Sequence, residues 1–522
     1  MIRLLCYEPP SEVLELSPDD LTRHVLGLGA TGSGKTTGLL NPLLKQVIAW
    51  KADDTKIKPG VLILDPKGDD TEQRIRNFAE EAGRGDDVAV LSQNSDCYYD
   101  YFAGFSGLHQ VEEFTRRLLC GSRDMGAENS YWTESRFGLA NAALTLFVST
   151  GEKPTFDNVV EFLSSWIYSP NSTSVNDSID FVRRLLQGFN LKPVTRRRLQ
   201  LAIEETANWR NLDPRTKELH KSVFSNAFRS LLSPAAKDLF DGLKGRRFDP
   251  ANVLKGKILI ASLNAVANPQ LAELLFKSLK RDFYNAVLAR PPVRPDNDRL
   301  CGLILDELPL SVTPEDVTSL ALLRSAGGFV AACAQGISGL DDVLGQRQRR
   351  ALLANFNSFF YFSSREDQTD EHAMLTLGTH DIKDERPQIN EFGDLQILNR
   401  PNAAPLQWIC PPGALARLAQ HHVYVRLASG AVTERPVWLE TIFHESRPAS
   451  AVVEADDLAN AIAMVKSQRD DASTQVPGVA SLLLHMHRRG QRLCLTPEIV
   501  SAAWQISLPV ESRNSIIARI SL

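Results

Sequence analysis

The 522-residue sequence contains no apolar run long enough to cross a membrane. A transmembrane helix needs about 20 consecutive apolar residues, and the best candidate, LANAALTLFVS, has roughly half that length. The first residues, MIRLLCYEPPSEVLELS, also lack the basic and apolar regions of an export signal. We therefore expect a protein of the cytoplasm with no transmembrane segment of its own, which would meet the inner membrane only through a partner.

Paired cysteines and an excess of basic residues are also missing. The seven cysteines form no CxxC pair and have no histidine at metal-ligand spacing, so we expect neither a zinc site nor a disulfide framework. The formal net charge of -5 argues against a chain that coats nucleic acid with its whole surface. A local basic groove or pore stays compatible with this charge.

Strand and helix patterns divide the chain into four parts. Short apolar strands alternate with helices in residues 1–104, which is typical of a parallel sheet in an α/β nucleotide-binding domain. Residues 105–252 read as an all-α insertion, and the strand pattern returns in residues 253–446 as the second part of the same domain. Residues 447–522 are predicted to form a small helical C-terminal region.

The stretch GATGSGKTTG matches the phosphate-binding pattern GxxxxGK[ST], with a predicted strand before it and a helix after it. Glycines allow the backbone N–H groups to surround a β-phosphate, while a lysine supplies positive charge to the β and γ oxygens. Lys35 has this second role, and the Thr36 hydroxyl is a predicted ligand of Mg²⁺. The predicted ATP-binding residues of this loop are Gly29, Ala30, Thr31, Gly32, Ser33, Gly34, Lys35, Thr36 and Thr37.

Two later strands end in polar residues suited to nucleotide hydrolysis. In LILDE, Asp306 follows four apolar residues and is a predicted part of the Mg²⁺ shell, while Glu307 is placed to polarise an attacking water. Gln335 ends the next strand, GFVAACAQ, where its amide would sense the γ-phosphate or align water. The alternatives are an ordinary acidic turn for the carboxylates and a loop glutamine for Gln335.

These motifs occur in an order that resembles the type IV coupling proteins of bacterial conjugation, the TraD/TraG group within the FtsK/HerA-like motor ATPases. The resemblance rests on RHVLGLGATGSGKTT, DPKGD, LILDELP, LLRSAGGFVAACAQGISGLDDVLG and SSREDQTDEHAMLTLG. It implies a RecA-like P-loop core with an inserted all-α domain, a homo-hexameric ring, and hydrolysis of Mg²⁺-bound ATP. It also implies DNA, a relaxase or other secreted substrate, and type IV secretion components as partners.

The resemblance assigns further residues. Arg324 corresponds by position to the arginine finger of the family, although a surface arginine is the alternative, and Gln335 corresponds to its motif-three glutamine. Asp65 and Lys67 match the family's DPKGD turn, which we expect at the rim of the nucleotide site or at a subunit interface.

Basic residues in GQRQRR are candidate DNA contacts, because ring motors grip phosphates with a few basic loop residues. These are Arg347, Arg349 and Arg350, expected in a loop after the Gln335 strand, with a solvated helix face as the alternative. His421 and His422 are interpreted as structural.

The favoured function is a DNA-translocating ATPase of the coupling class. An adaptor that recruits a relaxase or effector under ATP control is one alternative, and a soluble FtsK/HerA-like motor in DNA processing or phage defence is another. Stimulation of ATP turnover by DNA favours a motor, whereas stimulation only by a protein partner favours an adaptor.

Overall fold

A computed structural model describes most of the chain and gives the bounds of its strands and helices. The described residues are 2–5, 13–68, 70–119, 130–231, 233–240, 245–295, 297–381, 386–389, 395–398 and 406–439. The strands are β1 (Ile2–Leu5), β2 (Val13–Leu16), β3 (Val25–Leu28), β4 (Gly60–Asp65), β5 (Val88–Leu91), β6 (Cys97–Tyr98), β7 (Arg246–Arg247), β8 (Ile258–Ser262), β9 (Cys301–Leu305), β10 (Gly328–Ala334), β11 (Ser358–Tyr361), β12 (Thr379–Asp381), β13 (Arg386–Ile389), β14 (Leu395–Leu398), β15 (Leu406–Trp408), β16 (His422–Arg426) and β17 (Val437–Trp438). The helices are α1 (Pro18–Thr22), α2 (Asn41–Ala49), α3 (Thr71–Glu81), α4 (Val111–Leu119), α5 (Ser130–Ser149), α6 (Phe156–Tyr168), α7 (Thr173–Gly188), α8 (Pro193–Asn211), α9 (Pro214–Leu231), α10 (Pro234–Phe240), α11 (Pro269–Leu288), α12 (Glu315–Leu323), α13 (Ser338–Leu353) and α14 (Asp367–Leu377).

A nine-stranded sheet in the order β17-β16-β11-β3-β10-β9-β4-β8-β5 forms the centre of the structure. The strands from β11 to β5 run parallel, and β16 and β17 pair antiparallel at one side. Strands β9 and β10 are continuous apolar runs in which every residue is buried, as expected for parallel strands covered on both faces. The predicted α/β class is confirmed.

The register of the sheet brings the ends of the motif-bearing strands to one level. Leu28, the last residue of β3, pairs with Ala334 of β10 and with Tyr361 of β11. Leu305 of β9 pairs with Leu64 of β4 and with Ala332 of β10. The residues that follow these strands therefore meet at the carboxyl edge of the sheet, where ligands bind in open α/β folds.

Helices α4 to α10 occupy the chain between two short parallel strands, β6 and β7. Their interior contains the stacked rings of Trp166 and Trp209, whose centroids lie 5.8 Å apart. The indole of Trp166 donates to the Thr206 hydroxyl at 3.2 Å, so its polar nitrogen is satisfied although the side chain is buried. These helices lie inside the stretch predicted to be helical, 105–252, whose exact boundaries stay a prediction.

Several small sheets were not anticipated from the sequence. Strands β1 and β2 form an antiparallel hairpin, as do β13 and β14, and β12 pairs with β15. The predicted C-terminal helices, 447–522, lie outside the described residues. Within the part of the chain that the structure describes, no helix combines the length and the apolar character needed to span a membrane.

Candidate nucleotide site

The GATGSGKTTG segment forms a loop held against the carboxyl ends of two strands. The Gly29 N–H donates to the Ala334 carbonyl at 3.2 Å, and the Ala30 N–H donates to the Ser363 carbonyl at 2.7 Å. Gly34 has a φ of 104°, in the left-handed region that favours glycine. Thr31 and Gly32 are exposed at the loop tip. The strand-loop-helix context predicted for a phosphate-binding loop is therefore present, with a π-helical turn at Lys35–Leu40 leading into α2.

Lys35 lies inside this loop and is buried. Its ammonium donates to the carbonyls of Gly29 at 2.5 Å and Ala30 at 2.9 Å. Burial lowers the pKa of Lys35, and the nearby carboxylates of Glu307 and Asp306 oppose this shift. The lysine charge is thus held at the centre of the loop that would surround a phosphate.

Thr36 and Asp306 meet although 270 residues separate them in sequence. The Thr36 hydroxyl donates to Asp306 Oδ1 at 2.7 Å. Lys67, from the turn after β4, forms an ion pair with Asp306 Oδ2 and lies 3.5 Å from Thr36 Oγ1. Hydroxyl and carboxylate oxygens are the hard ligands that Mg²⁺ prefers, and a cationic group already lies against them, so these residues fit a magnesium ion.

Glu307 and Gln335 form a second pair at the same edge. The Gln335 amide Nε2 donates to Glu307 Oε2 at 3.2 Å. Burial raises the pKa of Glu307, while the Gln335 hydrogen bond and the Lys35 charge oppose the shift. A carboxylate of raised pKa held by an amide near a phosphate loop is suited to orient and polarise water.

His421 is a site neighbour that the sequence interpretation missed. Its Nε2 lies 2.8 Å from Thr37 Oγ1, and its backbone N–H donates to the Ser33 carbonyl at 2.9 Å. A Cβ added at Gly34 would lie only 2.3 Å from His421 Cδ2, so the imidazole packs directly on the loop. Because 384 residues separate Thr37 and His421, no local pattern could signal this contact.

Arg324 lies at the opposite edge of the sheet. It follows α12 and precedes β10, whereas Gln335 follows β10. Its guanidinium is half exposed and forms an ion pair with Asp19 at 3.2 Å. Seven residues of β10 separate the two positions, which corresponds to about 20 Å of extended chain. Arg324 therefore does not belong to the site formed by its own chain.

The expectation that Arg347, Arg349 and Arg350 lie in a loop is wrong, because all three lie on α13. The helix is interrupted at Gly345, whose φ is 72°, and continues after it. Arg349 forms an ion pair with Asp341 at 3.1 Å and a hydrogen bond to Gln368, so part of this basic group is engaged within the chain. The assignment of these arginines to DNA stays a prediction.

Comparisons with known proteins agree with this geometry. Residues 253–437 match the family model described as type IV secretion-system coupling protein DNA-binding domain. The predicted resemblance to the type IV coupling proteins is confirmed. The matched range of this coupling-protein domain contains Asp306, Glu307 and Gln335, whereas the phosphate-binding loop lies before it. No curated protein sequence matches this chain.

Solved structures of a plasmid coupling protein, TrwB, share the fold. The complex of TrwB with ADP and Mg²⁺ superposes with a TM-score of 0.53 and 20% identity, and the match covers 82% of this chain and 86% of that chain. The complex with the non-hydrolysable GTP analogue GDPNP gives 0.52 and 18%, covering 81% and 86%. At these identities the likeness shows the fold alone, an α/β fold with a parallel sheet.

Proposed function

We propose that this chain is a coupling-protein motor that hydrolyses ATP to move DNA, alone or as a nucleoprotein, toward a type IV secretion channel. The observation that carries the proposal is the meeting of three features at one edge of the sheet. These are the buried Lys35 in its loop, the Thr36–Asp306 contact, and the Glu307–Gln335 pair. The match of residues 253–437 to a coupling-protein DNA-binding domain supports the choice of DNA as cargo.

Each residue has a distinct part in the proposed hydrolysis. Lys35 neutralises charge on the β and γ phosphate oxygens, and Thr36 and Asp306 would hold Mg²⁺. When bound, the metal ion offsets the negative charge that develops during phosphoryl transfer. Glu307 orients and polarises the attacking water, and the Gln335 amide fixes the direction of the Glu307 carboxylate.

We further propose that the active form is a homo-hexameric ring. Arg324 lies at the amino edge of the sheet, away from Lys35 of its own chain, and its side chain is half exposed. An arginine that stabilises transition-state charge must lie next to the nucleotide. In a closed ring, the amino edge of one subunit can face the carboxyl edge of the next, and Arg324 would then complete the neighbour's site.

The remaining partners belong to the same proposal. A relaxase or other secreted substrate protein and the type IV secretion components are expected to bind the cytoplasmic ring, with inner-membrane contact supplied by a partner. On α13, Arg347 and Arg350 are exposed and keep the electrostatic character that DNA phosphates require.

Steady-state ATP hydrolysis of the full chain, with and without single- and double-stranded DNA, tests the proposal. Assembly mass is measured in parallel, and the Lys35→Ala protein controls for contaminating ATPases. We expect DNA to stimulate hydrolysis together with formation of hexamers. Stimulation by a relaxase but not by DNA would indicate an adaptor, and no nucleotide turnover under any condition would overturn the motor.

A further inference from the structure

Lys67 lies in a hydrogen-bonded turn after β4, and its side chain extends into the candidate nucleotide site. Its backbone N–H donates to Asp65 Oδ1 at 3.1 Å. Asp65 is only 2% exposed and accepts a second hydrogen bond from the Ser262 hydroxyl at 2.7 Å. The base of the Lys67 side chain is thus anchored at the end of β4, next to the end of β9.

The Lys67 ammonium contacts the same two side chains that would hold Mg²⁺. It forms an ion pair with Asp306 Oδ2 and lies 3.5 Å from Thr36 Oγ1. These two residues also contact each other, through Thr36 Oγ1 and Asp306 Oδ1 at 2.7 Å. The ammonium therefore lies where positive charge from a metal ion would be needed.

An ammonium and a divalent ion cannot both occupy this position, because like charges a few ångströms apart repel strongly. Lysine has a flexible four-carbon side chain, so the Lys67 ammonium can move away from Asp306 while the Lys67 backbone stays in place. The Lys67 side chain is 49% exposed, whereas Asp306 is 16% exposed. Solvent can accept the displaced ammonium, and the carboxylate keeps its partly buried place.

We propose that Lys67 is an exchangeable counter-ion of Asp306. The ammonium holds Asp306 and Thr36 together in the absence of Mg²⁺, and Mg²⁺ displaces it when a nucleotide is bound. Lys67 is then a positioning residue that sets how much Mg²⁺ the site requires. This inference rests on the proposed function, since it presupposes a magnesium nucleotide at this edge of the sheet.

The test measures ADP binding to the full chain by calorimetry over a series of Mg²⁺ concentrations. In Lys67→Gln the competing charge is gone, so the Mg²⁺ concentration that gives half-maximal tightening of ADP binding should fall roughly two- to fivefold, the modest effect of a half-exposed ion pair. ADP affinity at saturating Mg²⁺ should stay unchanged. Lys67→Arg keeps the charge and should retain the wild-type requirement.

Lys56→Gln is the matched control, because it removes an exposed lysine from the loop before β4. It should leave the Mg²⁺ requirement unchanged. An unchanged or higher requirement in Lys67→Gln overturns the exchange, and so does weaker ADP binding at saturating Mg²⁺, which would make Lys67 a phosphate ligand. If wild-type ADP binding does not depend on Mg²⁺ at all, the exchange is overturned as well, whereas the proposed function fails only if the hydrolysis assay shows no nucleotide turnover.

Discussion

The two ends of β10 differ in what their side chains contact. At the carboxyl end, Gln335 bonds to Glu307 within a site that also contains Lys35, all from one chain. At the amino end, Arg324 is half exposed and, among the partners described, pairs with Asp19, which is also half exposed. The carboxyl end of β10 therefore lies in a pocket lined by charged side chains, which we call the pocket end. The amino end has a half-exposed arginine, and we call it the outward end.

This difference bears on how the proposed enzyme is assembled. Under the proposed function the pocket binds a phosphate, a metal ion and a water, but its own chain places Arg324 at the far edge of the sheet. A second copy of the chain can supply that arginine. On this account nucleotide binding is a property of one chain, whereas fast hydrolysis is a property of two adjacent chains.

The largest effect is expected for Lys35→Ala. Removing a buried charge that would contact phosphate oxygens should weaken ATP binding about 10- to 100-fold and bring turnover below detection. Calorimetry with ATP and steady-state hydrolysis measure the two effects. Wild-type hydrolysis in this variant would remove the phosphate-binding loop from the account.

Arg324→Ala tests the outward end. We expect hydrolysis to fall about 1000-fold, the lower end of the range for an arginine finger, while ATP affinity stays close to wild type. Mixing Arg324→Ala subunits with Lys35→Ala subunits should restore part of the activity, because some interfaces then join an intact loop to an intact arginine. If no mixing ratio restores activity, the arginine does not act between subunits.

Glu307→Gln separates binding from chemistry at the pocket end. The variant should bind ATP normally and hydrolyse it at least about 100-fold more slowly. Burial raises the pKa of Glu307 above the ordinary value of 4.5, and only the ionised carboxylate can polarise water. Wild-type hydrolysis should therefore decline as the pH falls, with a midpoint above 4.5. If the residual hydrolysis by Glu307→Gln declines at low pH in the same way as wild-type hydrolysis, that pH dependence belongs to another group.

The smallest effect is expected for His421→Ala. Loss of the contact with Thr37 should weaken ATP binding about fivefold, the value of one net hydrogen bond, and leave kcat nearly unchanged. His421→Gln can still reach the Thr37 hydroxyl and should recover most of the affinity. Equal losses of affinity in the two variants would make the histidine a packing residue, and a loss in kcat alone would contradict a role in ATP binding.

The pocket end could be predicted from sequence because each of its groups follows an apolar strand. Parallel strands end at one edge, so Asp306, Glu307 and Gln335 could be placed near Lys35 from their positions in the chain. For Lys67, the sequence indicated only a place at the rim of the site. Its contact with Asp306 could not be predicted, because the direction of the Lys67 side chain depends on the turn geometry that Asp65 fixes.

Other features required the three-dimensional structure. His421 directly precedes β16, and the pairing of β16 with β11 brings it to Thr37 of the phosphate-binding loop. No sequence pattern indicates that β16 lies beside β11. The arginines after Gln335 were expected in a loop because ring motors grip phosphates with basic loop residues, but the helix resumes after Gly345 and Arg349 pairs with Asp341. Long-range packing decided the His421 contact, whereas the helix that carries the arginines agrees with the good helix propensity of glutamine and arginine.

The most direct test is a structure of the full chain with a non-hydrolysable ATP analogue and Mg²⁺. The account predicts the β and γ phosphates beside Lys35, the metal ion between Thr36 and Asp306, and the γ-phosphate facing Glu307. An analogue bound with its phosphates away from Lys35, or a metal ion with no contact to Asp306, would contradict it.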